Sequence, residues 1–430
     1  MEFYIVSVKK TFFLLITSSF FLSCSSGSER PFEIIEGHAL EKTSYEKPPT
    51  LNSSTLLPNS ILSGPLHDIR EKVKNDGLEN EFIIDSEFGI FKAHRTDFVY
   101  ERVREIYAIG ELNKITRSDA FAQGVAKAAT SPLRALKGLF TKPIKTLSQA
   151  VRGVGSLFSQ AGELIKGKRS ELDGSIAREL VGFGEIKRSI ADVLNVDAYS
   201  TNPILQEGMG EVAWAGYAGG VGLKPLTSQI GGDVGFAISG LKNSQALKSF
   251  YNSRSPELLR KKNRNLMKEM VVSKDIANSF LNHNWFSPRH ESVIIEVLSN
   301  LEDAANYEDF FVHASNSKGE EDSIFMMRLA EAILGFNQNV STIKYFKRLN
   351  SVLILFTKDG RAVVILPADY LIWSLESSII ADQRVDNGLK KELWLTGSIS
   401  KKAKLEFELR GWKVILSEGL LLPRLPVNNK

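Results

Sequence analysis

Cysteine is almost absent from this chain of 430 residues, in which Cys24 is the only one. A single thiol excludes an intramolecular disulfide and a metal cluster built from several cysteines. Because Cys24 lies close to the N-terminus, the body of the chain also lacks a catalytic thiol. The patterns GxSxG and HExxH, which mark esterases and zinc proteases, are missing as well. The sequence therefore reveals no reaction.

A strong charge of either sign is missing too. The formal net charge is +4, with 24% charged and 43% hydrophobic residues, as in ordinary globular proteins. This balance gives no overall signature of nucleic-acid binding. The uncharged runs Thr11–Leu22 and Val212–Leu223 are shorter than the about 20 residues that a membrane-spanning helix needs. We expect one or two folded domains and no nucleic-acid partner.

The N-terminus carries a secretion signal. Lys9 and Lys10 precede the run Thr11–Leu22, which leads into Ser23 and Cys24. A basic region, an apolar core of this length and a small residue before the cut are the parts of a signal peptide. Because Leu-Ser-Cys matches the last three positions of a lipobox, this end resembles bacterial lipoproteins.

The resemblance implies that residues 1–23 are a cleaved signal peptide and that Cys24 is lipidated. Phe21 stands where the lipobox usually has leucine. Ser25, in place of aspartate, is similar to the outer-membrane sorting pattern. It implies an outer-membrane lipoprotein of the cell envelope, facing the periplasm or the surface. A plain signal peptide or an uncleaved anchor is the alternative.

Residues 24–66 are predicted to be a flexible tether between membrane and fold. The segment is rich in Ser, Pro, Asn and Thr, as in KPPTLNSSTLLPNS. Such a composition favours a flexible chain over a packed core.

One stretch of the chain has no acidic residue at all, from Ala120 to Gly162. Apolar residues recur there at alternating steps of three and four between Leu133 and Phe158, which predicts a helical stripe about 80° wide. Pro132 and Pro143 divide the stretch into two successive helices. Cations lie off the stripe, at Arg134, Lys137, Lys142, Lys145 and Arg152.

Two interpretations of segment 131–166 stay open. The stripe could pack on the protein's own core, which leaves the cations as a solvated face. Alternatively the segment lies on anionic lipid and its five cations contact the membrane. A single acyl chain binds a membrane only marginally, so a basic face would supply the second contact that firm attachment needs.

Residues 67–343 predict a mainly helical domain. We expect a short helix from His67 and then a small hairpin within 81–94. Longer helices follow, with their starts indicated by capping residues or proline. These starts are Thr96, Ser118-Asp119, Asn202-Pro203, Ser255-Pro256, Ser273, Ser287-Pro288 and Glu320.

Residues 344–418 predict a small α/β domain. Asp359-Gly360 between two apolar runs is a strong hairpin signal. A helix from Asp369, a strand over 392–396, a helix from Ser400 and a final strand from 412 complete a ββαβαβ order. Its last two strands should be parallel. With a tail at 419–430, the expected fold class is α+β.

The body of the chain also resembles bacterial envelope proteins of unknown function. The phrases that carry the resemblance are SPLRALKGLFTKPIKTLSQAVRGVGSLF, NVDAYSTNPILQ, VAWAGYAGG and LWLTGSISKKAKLEFELRGWKV. The resemblance implies no activity.

Two glycine motifs are each better explained by structure than by ligand binding. Gly162–Lys168 fits a phosphate-binding loop until Arg169 replaces the Ser or Thr that would hold magnesium. Gly208–Ala213 matches a dinucleotide fingerprint but follows no strand, so helix packing is the favoured interpretation.

Two polar clusters are likewise better explained by structure than by ligand binding. His283, His290 and Glu291 are the densest potential metal ligands, but a site needs three or four ligands and a packed corner between helices explains them better. The turn 397–400, followed by Lys401 and Lys402, could hold an anion, with a helix cap at Ser400 as the simpler alternative.

The function favoured by these patterns is a non-catalytic binding or scaffold module, tethered to the envelope membrane. Its expected partners are membrane lipid and, as an open option, an envelope protein, and no cofactor is expected. An envelope hydrolase with a site assembled from distant residues is one alternative. A secreted toxin or pore-former that uses the glycine-rich segment 216–240 is another.

Overall fold

A computed structural model describes residues 44–131, 174–220, 254–301, 303–385, 388–417 and 419. Within these ranges the fold is α+β. The predicted signal peptide and lipidation site Cys24 lie outside the described residues. So do the predicted membrane-contact residues Arg134, Lys137, Lys142, Lys145 and Arg152.

The first sheet gathers six strands from the N-terminal part of the described chain. Its elements are β1 (Thr50–Asn52), α1 (Ser53–Leu56), α2 (Asn59–Leu62), β2 (Ser63–Gly64), β3 (His67–Ile69), β4 (Lys72–Asn75), β5 (Asn80–Ser86) and β6 (Gly89–His94). Along its whole length β5 pairs antiparallel with β6, which confirms the expected hairpin. The other edge of β5 bonds β4 at its start and β3 at its end.

The flexible tether predicted over 24–66 is wrong for the part after residue 50. Elements β1, α1, α2 and β2 lie there, and β1 pairs antiparallel with β4. Leu57 and Ile61 are 4% and 2% exposed. The polar and proline-rich composition of the segment masks these two apolar residues in a sequence analysis. Their burial is favourable because the neighbouring sheet provides apolar partners.

The short helix expected from His67 is also wrong, because that segment forms β3 and β4. His67 and Ile69 are buried with Asp68 exposed between them, and Lys72–Asn75 alternate in the same way. A burial period of two belongs to a strand. Within the range 67–343, predicted to be mainly helical, residues 67–94 therefore belong to a sheet.

Nine helices follow between 96 and 339 within the described ranges. They are α3 (Thr96–Thr116), α4 (Asp119–Thr130), α5 (Gly174–Val193), α6 (Pro203–Ala218), α7 (Pro256–Glu269), α8 (Lys274–Leu281), α9 (Pro288–Ser299), α10 (Glu308–Ala314) and α11 (Glu320–Asn339). Side chains cap α4, α6, α7 and α9 at the predicted positions, Ser118, Asn202, Ser255 and Ser287. These starts confirm the capping signals.

Glycine allows α4 and α6 to cross closely. A Cβ on Gly124 of α4 would lie 2.7 Å from the carbonyl oxygen of Ala215 in α6. Gly208, part of the dinucleotide-like motif, faces α3, where a Cβ would lie 3.1 Å from Leu112 Cδ1. The helix-packing interpretation of that motif is confirmed.

The second sheet belongs to the C-terminal part of the chain. Its region contains β7 (Ile343–Leu349), β8 (Val352–Thr357), β9 (Arg361–Leu366), β10 (Tyr370–Leu371), α12 (Leu375–Ala381), β11 (Lys390–Leu395), β12 (Ser398–Ile399), α13 (Lys401–Leu409) and β13 (Trp412–Leu416). The five-stranded order is β13-β11-β9-β8-β7, and β10 pairs with β12 separately.

This arrangement differs from the predicted ββαβαβ order by three added strands. An antiparallel strand, β7, precedes the hairpin, and β10 and β12 form a small parallel pair. The two specific pairings expected from the sequence are present: β8 and β9 are antiparallel around Gly360, and β11 and β13 are parallel. Short strands of two residues leave too little periodicity to detect from sequence.

Helices cover both faces of this sheet. On one face, Phe407 of α13 makes edge contacts with Trp373 and Trp412. On the other face, Phe336 of α11 contacts Trp394 with ring centroids 5.3 Å apart. The buried apolar side chains, which range in the chain from Leu57 to Trp412, form one connected cluster. The sheets and helices therefore share one core.

A cluster of charges around Arg95 joins the two sheets (the Arg95 cluster: Glu79, Arg95, Asp97, Arg328 and Asp369). The Arg95 guanidinium donates to Pro367 O, to Glu79 Oε1 at 3.3 Å and to Asp97 Oδ1 at 3.0 Å. Arg328 Nε lies 2.8 Å from Asp97 Oδ2. Side chains from the loop before β5, the turn before α3, α3 itself, α11 and the loop after β9 therefore meet at one point.

Asp369 completes this cluster by capping α3. Its carboxylate accepts the backbone N–H groups of Asn80 at 3.0 Å and Thr96 at 3.2 Å. The sequence predicts Thr96 as the cap, but the cap residue by position is Arg95, at φ 79°, and the accepting oxygens come from 273 residues further along the chain. Burial raises the pKa of Asp369, which Arg95 opposes.

Replacing Arg95 by methionine should destabilise the protein strongly. The substitution removes a buried positive charge that Glu79, Asp97 and Asp369 share, and breaking a buried pair costs about 3–5 kcal/mol. Urea denaturation measures the free energy of unfolding. Arg70→Met is the control, because its pair with Asp85 is half exposed and should change stability little. Equal losses in the two variants would refute a joining role for Arg95.

Candidate functional site

A row of cations lies on the outer face of α7. Ser255 caps this helix, Pro256 occupies its first turn, and Leu259, Asn263 and Met267 are buried at steps of four. Those positions pack against α9. Lys261, Arg264 and Lys268 are all exposed, and at 100° per residue they fall within a sector about 60° wide. We call these three residues the cationic ridge.

Cations of α7 that lie nearer to α9 are paired, whereas the ridge is not. Lys262 Nζ lies 2.5 Å from Glu296 Oε2, and Arg260 Nη2 lies 3.8 Å from Glu291 Oε1. The three ridge cations form no ion pair with any side chain in the described ranges. The ridge therefore presents positive charge to whatever lies outside.

Exposed apolar side chains flank the ridge at both ends of α7. Leu258 in the first turn is 58% exposed, and Val271 just after the last turn is 85% exposed. Val271 has a φ of 61°, a left-handed conformation that is unfavourable for a β-branched residue. Cations together with exposed apolar groups match the interface of an anionic bilayer.

Beneath the ridge, a carboxyl group is buried without hydrogen bonds. Glu291 of α9 is 1% exposed, and neither of its oxygens has a hydrogen-bond partner among the described residues. The 3.8 Å approach of Arg260 is too long for a hydrogen bond. Burial raises the pKa of Glu291 to about 8, although Arg260 and Arg264 oppose the shift. At neutral pH this carboxyl is therefore mostly protonated.

The histidines near Glu291 have structural roles. His290 forms a reciprocal capping box with Ser287 at the start of α9, and its Nδ1 lies 3.2 Å from Ser323 Oγ. Burial lowers the pKa of His290 to about 3, which keeps the ring neutral. The ring of His283 makes an edge-to-face contact with Phe286, with ring centroids 5.3 Å apart. No group of three potential metal ligands occurs in the described part of the chain, and His283, His290 and Glu291 do not form one.

A second buried set of charges sits between α3, α9 and the loop before α6 (the inner network: Glu101, Arg102, Glu105, Asp197 and Arg289). Arg289 donates to Glu101 and, at 3.0 Å, to Asp197. Arg102 donates to Glu105 at 2.6 Å. Burial raises the pKa of both Glu105 and Asp197.

Further polar side chains saturate the carboxylates of the inner network. Glu105 accepts from Ser200 Oγ and, at 3.0 Å, from Asn202 Nδ2. With their oxygens engaged by arginine, hydroxyl and amide groups, these carboxylates are poor candidates for proton transfer to a substrate. The inner network is best explained as a structural joint. Sequence reasoning missed this network, although four charges within five residues, at 101, 102, 104 and 105, are a usable signal.

The turn at 397–400 holds an anion, but that anion belongs to the chain itself. Ser400 caps α13 by accepting Ala403 N–H at 3.0 Å. The Glu46 carboxylate accepts from Ser400 Oγ at 2.5 Å and from Trp373 N–H at 2.7 Å. The capping interpretation is confirmed, whereas no local pattern in the sequence predicts that Glu46 fills the position.

A small apolar cavity lies beneath the C-terminal sheet. Its volume is about 20 Å³, enough for roughly one water molecule. His313 is the one ionisable side chain in its lining, which is otherwise formed by aliphatic residues and Phe325. Burial lowers the pKa of His313 to about 4. The cavity offers no pair of ionisable groups for acid–base chemistry.

No family model, curated protein or solved structure matches the chain. None of the helices in the described ranges combines the length and the apolar character needed to cross a bilayer.

Replacing Glu291 by glutamine should remove a pH dependence of stability. Because the folded-state pKa is about 8 and the unfolded value is 4.5, the folded protein holds a proton that the unfolded chain has released between these values. Stability should fall as pH rises through this window, by at most about 1.4 kcal/mol per pH unit. The variant should show a flatter profile and greater stability at pH 8.

Thermal and urea unfolding between pH 6.5 and pH 8.5 measures this slope. Glu296→Gln is the control, since Glu296 lies on the same helix but its side chain is 30% exposed and paired with Lys262. Parallel profiles for wild type and Glu291→Gln would contradict the prediction.

Proposed function

We propose that this protein is an envelope lipoprotein that acts as a non-catalytic binding module on anionic membrane surfaces. In this proposal residues 1–23 are the signal peptide and Cys24 carries the lipid. The folded body consists of the predicted parts 67–343 and 344–418 together with β1, α1, α2 and β2, and 419–430 is a tail. The outer membrane of the cell envelope is the proposed location.

The cationic ridge is the observation that carries the proposal. Its three cations form no ion pair with a described side chain, outnumber the one exposed acid in the same sector, Glu257, and stand between exposed Leu258 and Val271. Segment 131–166 adds five cations in a stretch without acids, Arg134, Lys137, Lys142, Lys145 and Arg152. Each lysine or arginine close to an anionic surface contributes about 1 kcal/mol, which falls off over a Debye length.

These contributions complement a lipid anchor. One acyl chain gives only marginal membrane binding, so several kcal/mol from basic residues would convert loose attachment into firm attachment. The arrangement of the buried charges favours a binding function over a catalytic one. The buried carboxylates of the inner network are saturated by arginine and polar groups, which suits a rigid scaffold for surface contacts.

Lipidation at Cys24 is the first test. Radiolabelled fatty acid should label the wild-type protein in a Gram-negative host and should not label Cys24→Ala, because the thiol is the acceptor. Equal labelling of the two proteins would remove the lipoprotein assignment.

Anionic vesicles test the binding function. The chain from residue 25, without lipid, should sediment with phosphatidylglycerol vesicles at low salt and dissociate as salt rises. Reversing Lys261 and Lys268 to glutamate should weaken binding by at least about fivefold per residue. The same reversal at Lys137, Lys142 and Lys145 should act in the same direction.

Lys344→Glu with Lys347→Glu is the matched control. Both lysines are exposed on β7, and the change in net charge equals that of the α7 variant. Binding that depends only on net charge would fall equally in both variants. That result would reject the ridge as a contact surface.

A further inference from the structure

We propose that the outer face of α13 is a second membrane-contact surface and that it fixes the orientation of the protein on the bilayer. The inference rests on the proposed function, since it assumes a lipid at Cys24. It names a surface on a different part of the fold from the cationic ridge. The occupant is an anionic lipid bilayer.

The described chain begins at a point held against α13. Lys402 donates to the backbone oxygen of Ser44 and lies 2.9 Å from Ser44 Oγ. Two residues on, Glu46 binds Ser400 and the backbone of Trp373. Glu46 N–H also donates to Trp373 O at 2.8 Å. The chain that comes from Cys24 therefore joins the folded body beside the N-terminal end of α13.

The distance from the lipid anchor is short. Ser44 follows Cys24 by 20 residues (44 minus 24). Even fully extended, 20 residues span at most about 70 Å, which limits how far Cys24 can lie from the end of α13 that binds Ser44. An anchor of this reach favours the side of the body where the tether is attached. That side carries α13.

The outer face of α13 is suited to such contact. Leu405 and Leu409, one turn apart, are 54% and 71% exposed, whereas Ala403 and Phe407 are fully buried. Lys401 and Lys404 are exposed on the same helix. An amphipathic helix normally turns leucine inward. Here exposed leucines lie among lysines, the pattern of a helix at a bilayer interface.

The neighbouring edge strand extends this surface. β13 packs beside α13 and forms one edge of the five-stranded sheet. Leu416 at its end is 54% exposed and lies on the same face of the sheet as Trp412, the face that α13 covers. The acids of α13 are neutralised locally, since Glu406 pairs with Arg410 at 2.6 Å and Glu408 lies 3.9 Å from Lys404. The face keeps a net positive charge, which complements anionic lipid.

A site-specific probe tests the orientation in the lipidated protein. Because Cys24 is the only cysteine and its thiol is consumed by lipidation, one introduced cysteine labels uniquely. Leu409→Cys and the control Ile90→Cys, at a position 65% exposed on β6, each receive a polarity-sensitive maleimide dye. The proteins are placed in vesicles of phosphatidylglycerol and phosphatidylcholine in equal parts, with nitroxide-labelled lipid as a quencher.

The dye at position 409 should shift to the blue and be quenched by the nitroxide lipid, while the dye at position 90 should stay in water. A dye at 409 that remains as aqueous as the dye at 90 overturns the inference. A blue shift at 409 without vesicles, together with a doubled mass in solution, also overturns it, since a second copy then covers the face.

A second measurement uses the unlipidated chain from residue 25. Leu405→Ser with Leu409→Ser should weaken vesicle binding by about tenfold, with a melting temperature close to that of wild type, whereas Ile90→Ser should have no effect. Failure of the proposed function looks different. Fatty acid would not label Cys24, or the unlipidated wild type would not bind vesicles, before any α13 variant is compared. Binding that depends on Lys261 and Lys268 but not on the leucines keeps the function and rejects the α13 face.

Discussion

The rest of the structure depends on the convergence of Arg95, Asp97 and Asp369. These residues come from the turn after β6, the first turn of α3 and the loop after β9, and they hold the N-terminal sheet, the helices and the C-terminal sheet at one buried point. Burial lowers the pKa of Arg95, but the carboxylates of Asp97, Glu79 and Asp369 outweigh that effect, so the net pKa is raised. The guanidinium is charged at any pH in which the protein folds.

This constraint explains why the described chain forms one core although it contains two sheets. Backbone bonds run beside the Arg95 cluster: Asp369 and Tyr370 donate to Leu78 O, and Ile372 donates to Gly77 O at 3.0 Å. Gly77 has a φ of 110°, a conformation in which a side chain would be strained, and a Cβ there would lie 3.3 Å from Ile372. The two sheets are thus connected by charge and by backbone contact at the same site.

Local features of this fold could be predicted from the sequence and its long-range features could not. Ser118, Asn202, Ser255 and Ser287 cap their helices because capping is a contact within three residues. Asp359-Gly360 forms its hairpin for a similar reason, with Gly360 at a φ of 81°. The cap of α3 by Asp369 spans 273 residues, and no local pattern encodes such a contact.

The same division holds for the candidate site. Ser400 as a cap was predictable, but its partner Glu46 lies 354 residues away in a segment whose composition predicts a tether. Segment 50–64 folds because Leu57 and Ile61 pack on the neighbouring sheet, and amino-acid composition cannot predict that contact. The cationic ridge was missed for a different reason. Five cations within the nine residues 260–268 look like any solvated helix face, and only the pairing of Arg260 and Lys262 with α9 separates the inner cations from the outer ones.

Charge balance links the interior to the proposed surface function. The Arg95 cluster and the inner network pair each buried arginine with carboxylates, so the interior contributes little net field. The charges of the described chain nearly cancel, so its positive charge is local, on faces such as those of α7 and α13 where lysines are exposed. In the proposed function, the lipid anchor decides which cationic face of the protein contacts the anionic surface. Under the proposed lipidation of Cys24, the anchor favours the side of the body that carries α13, because Lys402 and Ser400 bind Ser44 and Glu46. In that proposal the fold, and not the total charge, sets the orientation.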